Sequence, residues 1–163
     1  MRKLFYSFLI LLSIPALALD PNPVLQDKQT EIPSQADSIR QIFAQYGYKV
    51  VREAAMNMES EYEIPVIVPL TEGSLYHVVF IGDPTSRIQE VRMFDYDEKQ
   101  VFYQKKWVQS EGNIISYSYQ PQNSEWHMIR PVQVNKERKN CSGYVMLLKK
   151  VKEANTEIKV ASK

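Results

Sequence analysis

Residues 73–108 read GSLYHVVFIGDPTSRIQEVRMFDYDEKQVFYQKKWV. Leu75 to Ile81 is apolar at successive positions, so both faces of an extended segment would be greasy, as in a central strand covered on each side. Gly82-Asp83-Pro84-Thr85-Ser86 is turn chemistry, because glycine and proline set unusual or fixed φ and Asp and Ser bond their own backbone. Ile88 to Phe94 then forms a second strand, Asp95 to Lys99 a tight polar turn, and Val101 to Val108 a third strand. No helical period interrupts these segments, which argues for antiparallel hairpins rather than βαβ units.

Working outward toward the C-terminus, Gly112 and Asn113 punctuate the chain. Ile115, Tyr117 and Tyr119 then alternate with Ile114, Ser116 and Ser118, and Trp126 to Val134 and Cys141 to Leu148 supply two more strands. Toward the N-terminus, Thr71 to Ser74 is a turn, and Tyr62, Ile64, Val66 and Val68 alternate with Pro65 and Pro69, which confine that strand to a sheet edge. Tyr48 to Met58 is ambiguous: Glu53, Ala54, Ala55 and Met56 favour helix, whereas Tyr48, Val50 and Val51 favour strand. Ser34 with Asp37 resembles a capping pair, Ile39, Ile42, Phe43 and Tyr46 recur at helical spacing, and Gly47 suits a left-handed terminator. The expected fold is mainly β: an antiparallel, jelly-roll-like β-sandwich of about seven to eight strands, preceded by one short amphipathic helix.

The first residues, MRKLFYSFLILLSIPALALD, have the layout of a secretory signal: Arg2 and Lys3, an uncharged apolar run from Leu4 to Ile14, Pro15, then Ala16-Leu17-Ala18 as a cleavage pattern. The expected layout is therefore a signal peptide at 1–18 and a polar linker at 19–33. A helix and connecting segment follow at 34–59, then the sandwich at 60–150 and a polar tail at 151–163. The mature chain is expected to start at Leu19, in the periplasm or outside the cell. It would not be a lipoprotein, because no cysteine stands at the cleavage point. With 20 Lys and Arg against 19 Asp and Glu, the charge balance offers no reason to expect nucleic acid or an anionic membrane as partner. No second apolar stretch reaches the roughly 20 residues of a membrane span. Cys141 is the lone cysteine, so no internal disulfide can form; it reads as a small buried residue or as a thiol for another chain. Asn140-Cys141-Ser142 fits the glycosylation sequon, and Lys136-Glu137-Arg138-Lys139 reads as a solvated loop or a basic patch.

Motifs for chemistry are sparse. There is no G-x-S-x-G, H-E-x-x-H or C-x-x-C, and five glycines supply no phosphate loop. No cofactor is expected. His77 lies in the most apolar strand and His127 follows Trp126; either reads as a hydrogen-bonded core histidine, or as a base beside a carboxylate in a small hydrolase. Asp95, Asp97 and Glu98 in one turn, and the alternating Glu59, Glu61 and Glu63, are oxygen donors for a metal but also ordinary turn formers and edge charges. Tyr103, Trp107, Tyr117, Tyr119 and Trp126 fall on neighbouring strands, with Tyr117 and Tyr119 on one face. On an open face such rings would bind a protein or glycan partner, with Lys105, Lys106 and Arg130 at the rim; in the interior they would be core.

Several of these segments resemble the prepeptidase C-terminal type of β-sandwich. The likeness rests on Gly73 with Tyr76, Val78 and Phe80; on Phe94-Asp95; on Tyr119 and Pro121; and on Gly143-Tyr144 with Met146 and Leu148. The family's glycine before the penultimate strand is replaced by Asn123-Ser124-Glu125. The chain is also similar to short exported bacterial proteins with a lone cysteine near the last strand. The resemblance implies a non-catalytic accessory or binding module of the cell envelope. An eight-stranded outer-membrane barrel is the other architecture of fitting size, but Lys105-Lys106 and the charged Ile88–Phe94 strand leave no clean lipid-facing band.

Overall fold

The structure is a computed structural model that describes residues 31–137 and 139–151. The expected signal peptide at 1–18, most of the expected linker at 19–33 and the residues beyond Val151 lie outside the described residues. In chain order the elements are α1 (Glu31–Gln45), β1 (Tyr48–Glu59), β2 (Val66–Leu70), β3 (Tyr76–Gly82), β4 (Ile88–Phe94), β5 (Gln100–Trp107), α2 (Val108–Glu111), β6 (Ile114–Tyr119), β7 (Glu125–Val134) and β8 (Asn140–Lys150). The strands form two four-stranded sheets, ordered β1-β8-β3-β6 and β2-β7-β4-β5, with every ladder antiparallel. The neighbours β1/β8, β2/β7, β3/β6 and β4/β5 nest inside one another in sequence, as if one long hairpin had been rolled up. The fold is thus a mainly β sandwich of two open sheets with a helix in front, rather than a single sheet closed into a barrel.

Alternation along each strand sorts the side chains between layers. Val66, Val68, Val78, Phe80, Val91, Met93, Ile115, Ile129, Val145 and Leu147 meet between the sheets and are almost fully buried. Each such Val, Ile or Leu removed from water contributes roughly 1.5–3 kcal/mol to folding before chain entropy is counted. The opposite face of the β3 and β8 strands carries Val79, Ile81, Met146 and Leu148, which pack against Ile32, Ala36, Ile39 and Phe43 of α1. That third layer is why Leu75 to Ile81 reads as apolar on both faces. Among the described residues the other sheet has no such cover.

Two boundaries differ from expectation, and one open segment takes a definite form. The helix starts at Glu31 rather than Ser34, with Pro33 in its first turn, where the missing N–H costs no hydrogen bond. Gly47 follows the helix with φ 72°, as its position suggested. Residues 48–58, open on propensity alone, are strand, because β8 pairs with them along their length with a register shift between Val50 and Arg52. Tyr62 to Pro65 is not in a strand; Glu61 at φ 72° redirects the backbone there.

One end of the sandwich is closed by polar side chains. Gln133 Oε1 accepts the Asp83 backbone N–H at 2.7 Å, and its amide donates to Ser142 O at 2.9 Å. Asn113 donates to Gly82 O at 2.8 Å and exchanges two hydrogen bonds with Gln35 of α1. Satisfying these buried groups fixes where the β3–β4 turn sits. No helix among the described residues is long and apolar enough to cross a membrane.

Candidate functional site: the uncovered sheet face

The outer face of β2-β7-β4-β5 follows directly from the register. Trp107 stands beside Ile88 and Val134, Lys105 beside Glu90 and Val132, Tyr103 beside Arg92 and Arg130, and Phe94 beside Met128 and Ile67, while Pro69 neighbours Trp126. Trp107 is 51 % exposed and Trp126 55 %, with Tyr103 and Ile67 about equally open. Trp126 is eight residues along β7 from Val134, the β7 residue in line with Trp107. The indoles therefore sit roughly 26 Å apart at opposite ends of the face.

Between them runs a lattice of charges. Arg92 donates to Glu63 at 2.9 Å and contacts Glu90, Arg130 lies 3.6 Å from Glu63, and Lys105 lies 3.9 Å from Glu90. Arg87 is placed over the Trp107 ring at 5.1 Å and Arg130 over the Phe94 ring at 4.6 Å. Exposed ion pairs of this kind add little stability. They do fix the side chains, so less entropy is lost when a partner lands on them. At the Trp126 end the face dips into a hollow of about 310 Å³, lined by Ile67, Phe94, Trp126, Met128 and Arg130 and walled by the Asp95–Glu98 turn.

The five rings singled out in the sequence divide between two environments. Tyr103, Trp107 and Trp126 are on this open face. Tyr117 and Tyr119 do share a side of β6, but it is the inward side of the other sheet. Tyr117 is 8 % exposed, stacks on Phe102 with ring centroids 3.4 Å apart, and its hydroxyl donates to Met93 Sδ at 3.1 Å; burial pushes its phenol pKa far up. Tyr119 lies against His127, hydroxyl to Nε2 3.1 Å. Its pKa is raised first by burial and then by the carboxylates of Asp95 and Glu125. Among the three basic rim candidates, Lys105 and Arg130 belong to the face. Lys106 points inward and donates to the carbonyls of Glu111, at 3.0 Å, and Ile114.

The histidines are placed apart. His127 is buried, with Glu125 Oε1 at 3.8 Å from Nε2, so a carboxylate does stand beside it. His77 is half-buried under Phe43, and its Nδ1 lies 3.0 Å from Ser118 Oγ. Of the acidic groups, Asp95 Oδ1 accepts the Lys99 N–H at 2.8 Å as turn former, Glu59 pairs with Lys139 at 3.1 Å, and Glu63 belongs to the arginine lattice. No cluster of three or more His, Cys, Asp or Glu suited to a metal occurs among the described residues, including Asp95, Asp97 and Glu98. Cys141 is fully buried. The sequence reading missed Ile67, Phe94, Met128, Arg92 and Glu63 as members of the face. The alternation of Ile67 against Val66 and Val68 was the available signal.

No protein-family model matches the chain, and no curated protein does either.

Proposed function

We propose that this protein is an exported, non-enzymatic binding module of the bacterial periplasm or cell envelope, and that it holds an elongated partner across the outer face of β2-β7-β4-β5. The observation that carries this reading is the contrast between the sheets: α1 covers one outer face, while the other keeps two half-exposed tryptophans at its ends. Exposed apolar area of this kind, rimmed by ordered charges, is what anchored protein interfaces are made from. The distance between the indoles suits a long contact better than one small ligand. The nested strand pairing supports a jelly-roll-like connectivity, the type of sandwich to which the prepeptidase C-terminal resemblance points, and a binding role is what that resemblance implies.

Trp107→Ala and Trp126→Ala test the reading, because half-exposed rings can be removed without opening the core. Each variant should keep its melting temperature and lose the envelope partner captured by the native protein, whereas Tyr46→Ala, in the turn after α1, should keep it. Retention of the partner by both tryptophan variants would overturn the proposal. Fractionation of cells tests the location, and recovery of the chain in the cytoplasm would refute export.

A further inference from the structure

The hollow at the Trp126 end of the open face sets carboxylates beside exposed rings. Its lining carries Asp95 and Glu98 against Arg130, whereas Trp107 has Arg87 over its ring and Glu111 Oε2 accepting its backbone N–H at 2.8 Å. Arg130 is already engaged by Glu63, 3.6 Å away, and among the described residues Glu98 takes part in no ion pair. Burial, and after it the carboxylates of Asp95 and Glu125, raise the pKa of the nearby Tyr119 phenol. The walls of the hollow combine Trp126 and Tyr96, both more than half exposed, with the apolar floor of Ile67, Phe94 and Met128. Aromatic faces attract a cation through their quadrupole, and carboxylates beside them strengthen that attraction. The hollow already accommodates one such contact, the Arg130 guanidinium over Phe94.

We propose that the Trp126 hollow receives a lysine or arginine side chain from a basic, apolar-flanked segment of a partner protein. Its alkyl stem lies on Ile67 and Met128, and its charged head faces Trp126, Tyr96 and the Asp95–Glu98 turn. A cationic side chain fits better than a neutral one because its stem needs apolar floor and its head needs negative charge at the rim, and the hollow has both. This assignment rests on the outer face being the binding surface.

The chain has two tryptophans, one at each end of the face, so two indole N–H resonances report the two ends separately. The full chain is titrated with acetyl-Leu-Lys-Leu-amide, and in parallel with the same peptide carrying Gln or Glu at its centre. The lysine peptide should shift the Trp126 indole saturably, about fivefold more tightly than the glutamine peptide, and leave Trp107 in place. Added salt and the variant Glu98→Gln should each weaken the response. If the glutamine peptide binds as well as the lysine peptide, the charge assignment is wrong and the binding face stands. If no peptide moves Trp126, or if both indoles respond alike, the hollow is no recognition site and the face loses its best-defined anchor as well.

Discussion

Phe43 of α1 packs on His77 of β3 with its ring tilted by 30° and the centroids 4.2 Å apart, so the only helix longer than one turn among the described residues is seated partly on an imidazole. Tyr48 closes the site from β1 at 6.3 Å and Ser118 from β6, with no carboxylate among these neighbours. Burial holds the His77 pKa below its ordinary 6.5. Between that lowered native value and 6.5 the unfolded chain binds more protons than the folded one, so stability falls as pH drops through this window and levels off below it. Urea unfolding from pH 8 to pH 5 should show the loss, and His77→Phe should flatten it. An unchanged slope in that variant would place the pH dependence elsewhere.

Replacing Lys106 by Met should destabilise the protein by about 2 kcal/mol, because the carbonyls of Glu111 and Ile114 would lose the ammonium that satisfies them. Lys105→Met, one residue away on the open face, should cost far less. Chemical denaturation of the two variants gives the comparison, and equal effects would refute the inward role of Lys106.

Gly82 has no room for a side chain. A Cβ there would overlap Gln89 Nε2 and stand 2.6 Å from Gln133 Oε1, both in the buried polar plug. Gly82→Ala should therefore cost roughly 2–3 kcal/mol, whereas Gln133→Ala combined with Gly82→Ala should cost less than the two single effects added. The double-mutant cycle measures this directly.

Cys141 should resist thiol reagents in the native protein and react only as fast as the β8 strand opens, since it is fully buried opposite Met58 of β1. Labelling followed against denaturant concentration checks this. Fast labelling in buffer alone would mean that the strand is open at its start.

How far the fold could be read depended on which forces were local. Leu75 to Ile81 announced a strand covered twice because apolarity at consecutive positions has few other causes, and the structure supplies the two covers, sandwich core and α1. Residues 48–58 resisted reading because Glu53-Ala54-Ala55-Met56 prefers helix in isolation. The ladder to β8, some ninety residues away, overrides that preference. The aromatic set was legible as a set and not as a site. Alternation placed Tyr117 and Tyr119 together, but nothing in IISYSY or QVFYQKKW says which side of which sheet faces inward. That depends on strand order, which brings Phe102 onto Tyr117 and leaves Tyr103 and Trp107 outside.

The nested order of strands also sets a timetable. The last of the described strands in chain order, β8, is not an edge but lies between β1 and β3, so a chain that stops before Asn140 leaves both without their shared neighbour. The first half of the protein therefore cannot close its sheets as it is made. It must wait, with β-forming segments unpaired, until β8 arrives. Folding governed by such distant partners is slow, in the range of milliseconds to seconds, and the waiting chain is exposed to aggregation throughout. A molecule built this way depends on staying unfolded safely until it is complete.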